Sequence, residues 1–196
     1  MDSITQAALG ASIAGAVAGK TLGRSALLTG ALLGTLPDLD VVIDYGTAVA
    51  NFTQHRGFSH SLFILAPLSL LIAWGLWRWK PLISYQRWLA LVGLILLTHP
   101  LLDAFTTYGT QLFWPIGRPV AINSIFIIDP LYTLPLLIVT IWAFFRRNWS
   151  VRFGKAVTLS LMISSLYLGW TVVGQKVVEA RGAAYLAGRG IEPQSI

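Results

Sequence analysis

Three histidines, His55, His60 and His99, and eight acidic residues are the whole stock of metal-ligating side chains, because the chain has no cysteine. They are grouped. The stretch 54–61, QHRGFSHS, sets His55 and His60 on either side of Gly57, whose backbone freedom suits a tight turn. Neutral imidazole offers a free lone pair and is the commonest metal-binding side chain. In LPDLD, Asp38 and Asp40 stand two apart. In an extended segment such residues point to one side, where both carboxylates converge on one cation. In THPLLD, His99 and Asp103 are spaced i and i+4 and share a helix face, as paired ligands of helical metal sites do. Asp129 directly precedes Pro130, which suits a helix N-cap with proline at N1 as well as a further ligand. Asp44 is open to the same two readings.

Each motif alone has a plain structural account: solvated loop acids, an interfacial histidine pair, a cap by Ser59 or Ser61, a kink at Pro100. Together they supply imidazoles and carboxylates without thiolate, a donor set for Zn, Mn or Fe rather than a calcium cage. The set suffices for one or two divalent ions, and a pair about 3.5–4 Å apart activates water and stabilises the leaving oxygen in phosphoester hydrolysis. The expected ligands are Asp38, Asp40, His55, His60, His99 and Asp103, with Asp129 the weaker candidate. Asp40 or Asp44, where not committed to metal, can take the proton. Arg56 and Arg118 fall on the same face, and guanidinium matches phosphate oxygens bidentately. An arginine anchored among lipid headgroups is the blander account of both.

The elements that must position these residues are apolar. Of 196 residues 55% are hydrophobic and 11% charged, with mean hydropathy +0.68, whereas soluble domains carry about 25% charged residues. The composition predicts an all-α integral membrane protein, one bundle of about six hydrophobic helices over 4–19, 24–36, 60–79, 86–104, 123–145 and 156–178. The opening segment lacks a basic leader and is read as a first helix capped by Asp2 or Ser3. The first two helices are short and Gly/Ala-rich, with Gly15-x-x-x-Gly19 and Gly30-x-x-x-Gly34 spacings that bring helix backbones close. They either span or form a re-entrant pair. Residues 1–178 form a single transmembrane domain, and 179–196 a short polar tail. Trp77, Trp79, Tyr85, Trp88, Trp142 and Trp149 sit near run ends as an aromatic belt.

Nine basic residues fall on one side: Lys20, Arg24, Arg78, Lys80, Arg87, Arg146, Arg147, Arg152 and Lys155. Five fall on the other: Arg56, Arg118, Lys176, Arg181 and Arg189. The richer side is read as cytoplasmic, so both termini, every histidine and every acid face outward. Ionisable groups gathered near membrane depth mark function. The net charge of +6 lies in loops beside apolar runs, which argues for topology and against nucleic acid.

In order and combination, MDSITQAALGA, GTLPDLDV, FTQHRGFSHS, THPLLDAFTTYGTQLFWP and IIDPLYTLPLL resemble the membrane-bound metal-dependent hydrolase family, which includes LexA-regulated inner-membrane proteins of bacteria. The resemblance implies a helical inner-membrane protein with a metal centre. Some members have histidine where this chain has Gln6, so Gln6 is not counted as a ligand. Longer relatives continue beyond the last helix, whereas this chain stops at Ile196. The expectation is a metal-dependent hydrolase acting at the outer face on an amphiphilic substrate such as a lipid phosphoester. The rivals are a metal-ion transporter or sensor and a non-enzymatic structural membrane protein. Transport sites usually lie near the midplane on broken helices, whereas these residues gather at helix ends.

Overall fold

The computed structural model describes residues 1–146 and 149–189, with Phe52 and Thr53 described by backbone alone. Arg147, counted among the basic residues above, and the end of the tail with Glu192 lie outside the described residues. Helix α1 spans Ser3–Leu22, its free N–H groups capped by Asp2, which accepts from Ile4 and Thr5. Gly23, at φ 57, joins it to α2, Arg24–Thr35. The two helices touch backbone to backbone. A Cβ on Gly10 would lie 2.2 Å from the Gly30 carbonyl oxygen, and one on Gly34 would lie 2.4 Å from that of Gln6. Gly30 and Gly34 therefore face α1, whereas Gly15 and Gly19 make room for the indole of Trp149.

Pro37 begins a 3-10 turn, Pro37–Val42, followed by α3, Ala48–Gln54, and a second 3-10 turn, Phe58–His60. Helices α4, Leu62–Trp79, and α5, Tyr85–Asp103, pair around buried Leu65, Trp88, Leu91, Ile95 and Leu96. The segment 104–129 follows, with isolated bridges Thr106–Ile125 and Thr110–Val120. Helix α6, Pro130–Phe145, starts where Asp129 caps it, later than the expected 123, because Ser124 and Ile125 bond the Phe105 carbonyl instead. Helix α7 runs Val151–Ala187, so the stretch read as a polar tail begins as helix.

Among the described residues there are seven α-helices and no strand. The expectation of about six hydrophobic spans is corrected: among the described residues only α4 and α7 are long and apolar enough to cross a membrane, α6 being apolar but 16 residues. The small residues of α1 and α2 supply little hydropathy, and Gln86, Arg87, Thr98, His99 and Asp103 dilute α5. Helices α4 and α7 carry Leu71, Trp74, Leu166 and Trp170 outward, as lipid-facing surfaces do.

Candidate metal centre

Four side chains from three parts of the chain meet at one end of the bundle. The first 3-10 turn supplies Asp38, the second His60, and the last two turns of α5 His99 and Asp103. One ligand atom from each lies within 4.8 Å of the others. Their burial is nearly complete, with side-chain exposures of 0% for His60, 1% for His99, 0% for Asp103 and 14% for Asp38.

The nitrogens His60 Nε2 and His99 Nε2 are 3.1 Å apart. Asp38 Oδ1 lies 3.5 Å from the first and 3.3 Å from the second. Asp103 Oδ2 lies 3.2 Å and 3.7 Å from the same two atoms. Donors about 2.0–2.1 Å from a tetrahedral ion are separated by roughly 3.3–3.4 Å, so the five separations that involve an imidazole are close to those of such a shell.

Hydrogen bonds fix the tautomers. His99 Nδ1 is 2.7 Å from the Gly34 carbonyl oxygen, which accepts only, so Nδ1 carries the proton. Ser59 Oγ donates to Asp40 Oδ2 at 2.6 Å and is left to accept from His60 Nδ1 at 2.9 Å. Both Nε2 atoms of the neutral rings thus turn lone pairs inward, opposite two carboxylate oxygens. Asp103 Oδ2 is buried without a hydrogen-bond partner among the described residues. Four acceptors facing one another repel unless a metal ion or a proton on an imidazole joins them. The residues therefore fit a divalent metal, with Gly34, Ser59 and Asp40 orienting the rings from behind.

Without metal, the charges compensate one another. Burial works to raise the Asp38 carboxyl, but hydrogen bonds with His60 and His99 outweigh it and hold its pKa below the ordinary carboxylate range. Burial works to lower the His60 imidazole, but Asp103 and Asp38 prevail and raise it.

A profile of the YdjM inner membrane protein family matches residues 1–178. The chain belongs to the YdjM inner membrane protein family. Inner membrane protein YbcI of Escherichia coli (strain K12) is 37% identical over 112 residues, 57% of this chain and 64% of that protein. YfhP of Bacillus subtilis (strain 168) is 29% identical over 108 residues, 54% of this chain and 33% of that protein. The matched regions thus span less than two thirds of either relative's length. No solved structure matches the chain.

Of the expected ligands, this YdjM-family fold brings Asp38, His60, His99 and Asp103 together and places the others elsewhere. Asp40 is turned away from Asp38 because the segment is a 3-10 turn with three residues per turn, not extended. It accepts instead from His55 Nδ1 at 2.9 Å, the Arg56 backbone N–H at 3.0 Å and Ser59. Burial works to raise the Asp40 carboxyl, and these hydrogen bonds lower it on balance. His55 is thereby held on Asp40, its ring centroid 6.1 Å from that of His60. Asp129 caps α6 by accepting from Leu131 and Tyr132, and also receives the Tyr167 hydroxyl at 3.0 Å. Asp44 is exposed and serves its own loop, accepting from Gly46 N–H and Asn51 Nδ2.

The two arginines part company. Arg118 is exposed in the 104–129 segment. Arg56 is buried at φ 63, a strained value for a side chain of its size, so Arg56 rather than Gly57 makes the left-handed turn. Its Nη2 donates to the Met1 carbonyl at 3.2 Å, and its Nη1 lies 3.6 Å from Asp103 Oδ1. Among the described residues, Nε and Nη1 have no hydrogen-bond acceptor. Neither Ser59 nor Ser61 caps α4 with its side chain, since Ser61 Oγ donates to the Trp114 carbonyl at 2.8 Å.

Three participants were not expected. Gln6 donates from Nε2 to the His99 carbonyl at 3.1 Å and to Asp103 Oδ1 at 3.2 Å. The Met1 amino group contacts Asp103. The Gly34 carbonyl holds His99. For Gln6 the available sequence signal was an amide among the alanines and glycines of an apolar helix.

Proposed function

We propose that this chain is a metal-dependent hydrolase of the bacterial inner membrane, acting at the outer face on an amphiphilic phosphoester. The observation that carries the reading is Asp103 Oδ2, buried and without a hydrogen-bond partner, opposite the inward lone pairs of His60 and His99. Asp38, His60, His99 and Asp103 would hold one divalent ion of the Zn, Mn or Fe class. When bound it supplies Lewis acidity and an activated water.

The remaining chemistry rests on the chain's own residues. Asp40 fixes His55 by its Nδ1, leaving Nε2 as the nitrogen that accepts or returns a proton. His55 and Tyr108 line both flanking cavities, of about 230 and 320 Å³. This moves the acid–base role expected of Asp40 or Asp44 to a His55–Asp40 pair. Arg56 holds positive charge against Asp103 and lines the smaller cavity, where its guanidinium favours an anionic group. Arg118, exposed in its loop, is a candidate for the substrate's outer contacts. Exposed Val41 and Ile43 line the larger cavity and suit an amphiphile with an apolar portion. The excess of basic residues at the opposite end supports an extracytoplasmic site.

A second reading has its own observation. Four protein donors around one centre describe a closed shell, as in structural or sensing sites, whereas catalytic ions keep a position open. Asp38, the partly exposed donor, is the one that a substrate or water would displace in a catalytic site.

The test is elemental analysis and turnover of lipid phosphoesters on the same preparations. Wild type and His55→Ala should retain about one metal per chain, and His60→Ala should not. Turnover should require both histidines. Metal retention with no turnover of any lipid phosphoester by wild type would leave the sensing reading and remove the hydrolase.

A further inference from the structure

At the end of the bundle remote from the cluster, α1 and the start of α7 bound a groove of about 760 Å³. Its shape follows from small residues. A Cβ on Gly19 would lie 2.2 Å from the Trp149 ring, and one on Gly15 would lie 3.2 Å from it. The glycines thus let the indole lie flat on α1 as a floor. Leu159 and Met162, each 56% exposed, form one wall and run into the outward apolar surface of α7 through Ile163 and Leu166. The groove is therefore open along its length to the hydrocarbon that bathes that surface.

Its other end is cationic. Lys20 and Lys155 line the groove and are exposed. Neither has an ion pair among the described residues, whose salt bridges lie at the cluster and at Lys176–Glu179. No Asp or Glu occurs in residues 3–37 or 130–178, the segments from which both walls come. Two ammonium groups without a carboxylate in either wall, above an apolar trough, complement one amphiphile: an acidic head joined to an acyl chain.

We propose that this groove binds an anionic phospholipid, its phosphate between Lys20 and Lys155 and one acyl chain along Leu159 and Met162. The site is separate from the metal centre and independent of the reaction assigned to it.

The test is native mass spectrometry of the full-length protein released from detergent, titrated with phosphatidylglycerol or phosphatidylcholine. Phosphatidylglycerol should be retained at least tenfold more tightly. The Lys20→Gln, Lys155→Gln double variant should lose this preference, a drop of roughly thirtyfold if each lysine contributes as basic residues near anionic lipid do. The Lys20→Arg, Lys155→Arg variant should keep it, and all three proteins should carry equal metal. Equal retention of the two lipids by wild type, unchanged binding in the glutamine variant, or a dimer that displaces the lipid would overturn the proposal.

Discussion

His60 and His99 meet Nε2 to Nε2 at 3.1 Å, although 39 residues separate them in the chain. Each ring has its Nδ1 engaged from behind, by Ser59 in one case and by the Gly34 carbonyl in the other. Neither nitrogen can relieve the contact by donating to the other while both rings are neutral. The pair is poised for a cation, and the residues behind it are as much part of the centre as the donors.

Ser59→Ala removes the hydroxyl that orients His60 and links it to Asp40. Metal affinity should fall about ten- to a hundredfold, as for other supporting residues behind metal ligands, with helix content unchanged. Competition against a chromogenic chelator measures it. Unchanged affinity would mean that packing alone orients His60.

Gly34→Ala places a methyl group 2.4 Å from the Gln6 carbonyl oxygen, which is α1 backbone and cannot turn aside. The two helices must separate, carrying the Gly34 carbonyl from His99. A loss of about 1–3 kcal/mol in stability is expected, together with loss of metal. Gly75→Ala, where nothing lies within 4 Å, is the control and should be neutral or slightly stabilising. Thermal unfolding in detergent separates the two.

Asp129→Ala distinguishes a helix cap from a ligand. The variant loses the acceptors of Leu131 and Tyr132 N–H and of the Tyr167 hydroxyl. It should be destabilised by about 1 kcal/mol while carrying as much metal as wild type. Metal loss without destabilisation would reinstate Asp129 as a donor.

The metal-free and metal-loaded proteins should respond oppositely to pH. In the metal-free protein the His60 pKa is raised above its ordinary 6.5. Protonated His60 thus contributes stability that is fully present below that value and is lost as pH rises through the folded-state pKa. Asp38, with its pKa lowered, contributes stability present above 3.8 that is lost only in stronger acid. Bound metal competes with the proton on His60, so affinity should weaken on acidification, beginning above the pH at which free imidazole titrates. Melting curves with and without chelator, from about pH 6 to about pH 9, read both slopes.

Local signals were legible in the sequence and tertiary ones were not. The i, i+4 pair His99 and Asp103 shares a helix face because both lie in α5. Asp129 before Pro130 marks the α6 start for the same kind of reason. Asp38 and Asp40 misled because their spacing means one thing in a strand and another in the 3-10 turn that Pro37 initiates. The acceptor for His99 was beyond reach of sequence, since a backbone carbonyl at Gly34 is chosen by helix packing and has no side chain to reveal it. The number of spans failed for a physical reason too: close glycine contacts let α1 and α2 form a stable hairpin without the apolar bulk of a membrane-crossing helix.

The uneven burial of the four donors has a kinetic consequence. His60, His99 and Asp103 are sealed, and only Asp38, 14% exposed, lies toward solvent. An ion exchanging with the medium must pass the first 3-10 turn, so its residence time is set by how often that turn opens rather than by affinity alone. Chelators of very different strength should therefore strip the protein at one common, concentration-independent rate, and loosening Pro37–Val42 should shorten the ion's stay even with all four donors intact.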